Sequence, residues 1–85
     1  MFNLDEMGLR IARRRKELGL TQDQLAKQLD LSPQAISKWE TGAGMPDIAS
    51  LPYLAKALDM SIDALFGQDR SDKNLEQEDL AQNKQ

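Results

Sequence analysis

The segment QDQLAKQLDLSPQAISKWET, residues 22–41, constrains the fold more tightly than any other part of the chain. Thr21 followed three residues later by Gln24 has the layout of a capping box, so a helix is expected to open at Gln22. Leu25, Ala26 and Leu29 recur at helical spacing and give that helix one apolar face. Asp30 and Leu31 alone separate it from Ser32, an N-cap residue, and from Pro33, which suits a first helical position because the N–H it lacks would have no partner there. The second helix carries Ile36 and Trp39 inward and ends before Gly42. Two short helices joined by so brief a turn must cross closely, with small Ala26 where they approach. Leu25, Leu29, Leu31, Ile36 and Trp39 are expected to face their shared core.

The flanking segments supply the rest of a core. Asn3 with Glu6 three residues on reads as the N-cap of a first helix, in which Met7, Ile11 and Leu18 form one apolar face and Gly19 marks the end. On that helix Arg13 and Lys16 lie opposite the apolar face, Arg15 on its border and Arg14 almost inside it. Ala43 to Pro46 form a loop. Pro52 is tolerated only in a first turn, so a fourth helix starts near Ser50 or Leu51, with Leu51, Leu54, Ala55 and Leu58 buried. Ser61 caps a last short helix holding Ile62, Leu65 and Phe66 before Gly67. The expected fold is all-α, a compact bundle of five short helices over residues 1–67. Residues 68–85 form an acidic, polar tail in which Leu75 and Leu80 are the only large apolar groups. Such a tail is expected to be disordered, the alternative being a marginal helix ordered by a partner.

Eighty-five residues allow one domain. Cysteine and histidine are both absent, which removes disulfides, thiolate chemistry, imidazole bases and the commonest zinc ligands. The carboxylates show no pairing that suggests a reaction centre, so no enzyme activity, catalytic residue, metal or cofactor is expected. No apolar run approaches the roughly 18 residues of a membrane-spanning helix, and the chain reads as cytoplasmic, with no membrane partner. The net charge of −3 is not the usual footprint of a nucleic-acid binder. Its distribution matters more, because the tail carries two of the three excess negative charges while Arg10, Arg13, Arg14, Arg15 and Lys16 sit together in the first helix. A solvated helix face is the ordinary reading of such a run; an electrostatic footprint for an anion is the other.

Residues 33–41 have an outward face of a different kind. At about 100° per residue, Gln34, Ser37, Lys38 and Thr41 lie about 100° to 200° from inward-facing Ile36, and none of them is a carboxylate. Two helices in this arrangement make a helix-turn-helix unit, whose second helix fits the major groove of DNA. Over about residues 7–67 the sequence resembles the Cro and phage-repressor type of helix-turn-helix protein, often called the XRE family. The resemblance rests on GLTQDQLA at 19–26, LSPQAISKWETG at 31–42 and the apolar pattern of LAKALDMSIDALF at 54–66. It implies a lambda-repressor-like fold and a sequence-specific regulator of transcription, a repressor in the first instance. It places Pro33, Gln34, Ser37 and Lys38 at base-reading positions, Gln22 at a phosphate contact opening the second helix, and Arg15 with Glu40 in a structural ion pair.

Groove chemistry gives these positions roles. Gln34 matches the donor and acceptor of adenine N6 and N7, Lys38 donates to guanine O6 and N7, Ser37 suits either base, and Pro33 touches a thymine methyl. Ser32 and Thr41 are expected at phosphates from the two ends of the helix, with Arg10 and the backbone of Ala43 and Gly44 as further phosphate donors. Free N–H groups at the start of the second helix complete an anion site with Gln22. The sequence departs from the family pattern at Asp30, where glycine is usual, and at Arg14, where leucine is frequent. Partners implied are double-stranded DNA with a palindromic operator and a second copy of the chain, since operators of this class are two half-sites roughly 34 Å apart. By resemblance, Ile62, Phe66 and Tyr53 form the dimer contact. The competing reading is a protein-binding module, such as an antitoxin that holds its toxin through the tail.

Overall fold

Side-chain caps set where the helices begin. The computed structural model describes residues 2–68, which fold as α1 (Leu4–Glu17), α2 (Gln22–Leu29), α3 (Pro33–Thr41), α4 (Leu51–Ala57) and α5 (Ile62–Leu65), with no strand among the described residues. Asn3 Oδ1 accepts from the Glu6 N–H at 3.1 Å, and Ser61 Oγ from the Ala64 N–H at 2.9 Å. Before α2 the capping box is reciprocal: Thr21 Oγ1 accepts from the Gln24 N–H at 3.0 Å while Gln24 Oε1 accepts from the Thr21 N–H at 2.8 Å. Ser32 caps α3 and Pro33 opens it. Ser50 precedes α4 without a side-chain cap; there Pro52 in the first turn does what a cap would, by fixing the backbone. The tail from residue 69, and with it the expected disorder and the partner-ordered alternative, lies outside the described residues.

The core collects one or two layers from every helix. Met7 and Ile11 of α1, Leu25 of α2, Ile36 of α3, Leu54 and Leu58 at α4 and Leu65 of α5 are all sealed from solvent. Each stabilises the fold by about 2 kcal/mol relative to exposure. Two expected core residues are not there. Leu18 is half exposed because the helix stops at Glu17 and Leu18 is its C-cap, so the chain has turned away from the apolar face; the inward place one turn earlier belongs to Arg15, which is buried. Leu31 is likewise exposed, since the left-handed Asp30 swings the turn outward before α3 begins.

α1 packs mainly on α3, and Gly8 lets it do so. A Cβ on Gly8 would lie 2.5 Å from the Trp39 carbonyl oxygen and 2.6 Å from that of Glu40, so no larger residue fits between the helix backbones. Arg14 joins α1 to the end of α4: its Nε donates to the Leu58 carbonyl at 2.8 Å and Nη2 to that of Asp59 at 3.4 Å, closing orphan C-terminal carbonyls that a leucine would leave to water.

Asp30 has φ 58° and ψ 43°, the left-handed conformation that glycine adopts without penalty, and its carboxylate stands at the negative end of α2. Asp30→Gly is therefore expected to stabilise the fold by about 0.5–1 kcal/mol, read as a rise of a few degrees in melting temperature. An unchanged or lower value contradicts this account of the turn.

Candidate nucleic-acid interface

α3 presents its polar face outward on a rigid support. Ile36 and Trp39 anchor it to the core, Gln34 and Lys38 are exposed, and Pro33 and Ser37 are half-buried beside them. No carboxylate interrupts the four. Ser32 Oγ accepts from the Ala35 N–H at 3.3 Å, which leaves its own hydroxyl hydrogen to donate outward.

The residues expected at the far end of α3 are otherwise engaged. Thr41 Oγ1 donates back into the helix, to the Ser37 carbonyl at 3.0 Å and the Lys38 carbonyl at 3.3 Å. The Ala43 and Gly44 N–H groups both donate to the Lys38 carbonyl, at 2.9 and 3.3 Å, and so close the C-terminus of α3. Their hydrogens are spent inside the protein, and the Asp5 carboxylate lies against Gly42 at the same turn. An anion finds little there.

The basic run of α1 does not form one patch. Arg10 sits about 200° around the helix from Gly8, the residue that touches α3, and its Nη1 donates to the Leu65 carbonyl at 3.3 Å while Nη2 pairs with Glu6 at 3.5 Å. It serves α5, and the structure does not bring it to the outward face of α3. Arg14 is held at α4 as described, with the carboxylates of Glu17 and Asp59 nearby. Arg13 and Lys16 remain exposed. The charge of Lys16 also acts on the Glu40 carboxyl and lowers it.

Arg15 and Glu40 form the most buried charge pair among the described residues. Arg15 Nε donates to Glu40 Oε2 at 2.6 Å and Nη2 to Oε1 at 2.9 Å, with side chains only 10% and 6% exposed. Nη1 of the same guanidinium donates to the Leu20 carbonyl at 2.8 Å. Burial pushes the Glu40 carboxyl upward, but the hydrogen bonds from Arg15 and Gln22 and the charges of Arg15 and Lys16 outweigh it and hold it below the usual carboxylate range. The same hydrogen bonding raises Arg15 above its ordinary value against the cost of its desolvation.

Gln22 completes this cluster. Its Nε2 donates to Glu40 Oε1 at 3.0 Å, a link across 18 residues that no local spacing announces. Around it, the N–H groups of Gln22 and Asp23 have no acceptor among the described residues, so the start of α2 is an open donor site. Asp23 beside it is exposed, with Lys27 at 3.9 Å. The geometry thus assembles a protruding, carboxylate-free polar face on α3 and an open set of N–H donors at the start of α2, on two short helices joined by a brief turn, and it is a helix-turn-helix domain that this arrangement defines.

Comparison with known proteins agrees. The helix-turn-helix family model matches residues 11–65, and the chain belongs to that family, in its Cro and phage-repressor branch. It is 39% identical over 67 residues to the cryptic phage CTXphi transcriptional repressor RstR of Vibrio cholerae, a match covering 79% of this chain and 60% of RstR. It is 51% identical over 47 residues to the transcriptional activator BcrR of Enterococcus faecalis, covering 55% of this chain and 23% of BcrR. The chain therefore spans less than two thirds of these curated relatives. Among solved structures, the P22 c2 repressor in complex with a synthetic operator superposes with a TM-score of 0.71 at 43% identity, covering 74% of this chain and 96% of that one.

Proposed function

We propose that this chain is a cytoplasmic, sequence-specific DNA-binding regulator of transcription that reads the major groove with α3. The observation that carries the reading is the outward face of α3, where Gln34, Ser37 and Lys38 project beside Pro33 with no carboxylate among them, on a helix tied to the open donors at the start of α2 through Glu40 and Gln22. Gln34 and Lys38 supply the preferences for adenine and guanine, and Ser37 and Pro33 add contacts to a neighbouring base and a thymine methyl. Phosphate contacts come from Gln22, the first-turn N–H groups of α2 and the hydroxyl of Ser32. Thr41, Ala43 and Gly44 are left out because their donors are already used within the domain, and Arg10 because its guanidinium is held at α5 and Glu6.

The chemistry requires no bound cofactor. Occupying a promoter is sufficient to block it, and repression is the direction we assign, in keeping with RstR and the P22 c2 protein, both named repressors. The chain acts as a dimer on a palindromic site. Tyr53 at 68% and Ile62 at 40% exposure are apolar groups on α4 and α5 that suit such a contact, next to half-buried Phe66, whose ring packs against Phe2 with centroids 5.2 Å apart.

Selection from a random duplex library at near-physiological salt tests the reading. A short enriched palindrome is expected, and a folded protein that enriches nothing overturns it. Lys38→Ala or Gln34→Ala should weaken discrimination at one base pair by about 1–3 kcal/mol while leaving the melting temperature unchanged. Equal preference in both variants removes α3 as the reading surface.

A further inference from the structure

The Arg15–Glu40 pair has the look of a structural tie, yet one of its oxygens is shared with a residue at the DNA-facing edge. Glu40 Oε1 accepts from Arg15 Nη2 at 2.9 Å and from Gln22 Nε2 at 3.0 Å. We infer that Glu40 is a positioning residue for phosphate binding, setting the orientation of the Gln22 side-chain amide so that the start of α2 receives an anion. The inference rests on the DNA-binding reading above and goes one residue deeper into it.

The argument turns on what a carboxylate is able to hold. An ionised carboxylate has no hydrogen to give, so it grips a glutamine amide only by the NH₂ end. One N–H is taken by Glu40, and the second stays with the same nitrogen. The amide nitrogen is thereby fixed at the mouth of α2, beside the unpartnered N–H groups of Gln22 and Asp23. Without that grip the amide turns freely about its last torsion, and half of its orientations offer an oxygen to a phosphate, which repels it.

Arg15 makes the arrangement compatible with an anion. Bidentate pairing with Arg15 neutralises Glu40, so the carboxylate near the site does not act as a bare negative charge. Glu40 belongs to α3, Gln22 to α2 and Arg15 to α1. The phosphate contact on α2 is therefore tied through one oxygen to the helix that reads bases, and the angle of α3 in the groove is set against the backbone it crosses.

A double-mutant cycle on the full chain tests this, with the selected duplex as the probe. Glu40→Ala alone risks unfolding, so the anchor is removed as the pair Arg15→Met with Glu40→Leu, because apolar replacement of a buried ion pair preserves folding in well-studied cases. Affinity is expected to fall about tenfold in this double variant and by the same factor in Gln22→Ala, with no further loss when all three changes are combined. In side-chain amide NMR spectra of the free protein, the Gln22 NH₂ resonances should move to the positions of a solvated glutamine in the Met–Leu variant. Wild-type affinity in that variant, or losses that multiply in the triple change, overturns the inference while leaving the DNA-binding reading intact. Failure of the wild-type chain to retain any duplex overturns both, and unmoved Gln22 resonances show that Glu40 does not hold the amide.

Discussion

Gly8→Ala should cost this domain most of its stability, more than any other single methyl group. Its Cβ would sit 2.5 and 2.6 Å from two backbone carbonyl oxygens of α3 and 2.8 Å from the Glu40 carbonyl carbon, and backbone has no rotamer with which to yield. α1 and α3 must therefore separate by most of an ångström, which unseats Met7 and Ile11 from the core they share with Ile36 and Trp39. Alanine is the better helix former by about 1 kcal/mol, so propensity alone predicts a gain. Overpacking against rigid backbone outweighs it, and a net loss of about 3 kcal/mol is expected, a drop of roughly 15 °C or more in a domain this small. Circular dichroism melts decide between the two. A raised melting temperature means that helix propensity governs the site and the helices are not in contact there.

Gly8 also shows where sequence reasoning stopped. A glycine inside a helical pattern is a known sign of close approach, but only the opposing helix says how close. Boundaries were more legible. Thr21 with Gln24, and Ser32 with Pro33, mark the starts of α2 and α3 to the residue, because each cap is a local hydrogen bond made by side chains within three positions. Local periodicity was less informative at helix ends, and Leu18 and Leu31 are exposed because the chain leaves the helix direction before reaching them. The cluster Arg10–Lys16 reads as a basic patch only while it is linear. Wound into α1, it sends Arg10 to α5, Arg14 to α4 and Arg15 to α3. The polar side of α3 was legible from spacing alone, since Gln34, Ser37 and Lys38 lie on one short helix whose inward side is fixed by Ile36 and Trp39. Which backbone N–H groups stay open was not legible, because those of Ala43 and Gly44 are claimed by helix closure while those of Gln22 and Asp23 are not, a difference that residue type does not reveal.

Glu40→Ala should be the second severe loss, through a different mechanism. The substitution leaves Arg15 only 10% exposed with no counter-charge and one remaining hydrogen bond, to Leu20. Removing one partner of a buried pair typically costs about 3–5 kcal/mol, because the charge left behind is neither solvated nor neutralised. Replacing both partners by Met and Leu leaves no stranded charge and should melt close to the wild type. The contrast between these two variants measures stranding rather than attraction. Acid supplies an independent check on the same carboxylate. Glu40 titrates below the ordinary glutamate value of 4.5, so its contribution to stability is fully present above that value and is lost as pH falls through its lower folded-state value. The melting-temperature gap between wild type and Glu40→Ala should accordingly be constant from neutral pH down to about 5 and narrow steadily below it. A gap that stays constant through the acid range means that Glu40 is not held as a carboxylate by Arg15, and a gap that narrows at higher pH means that burial, rather than pairing, dominates its environment.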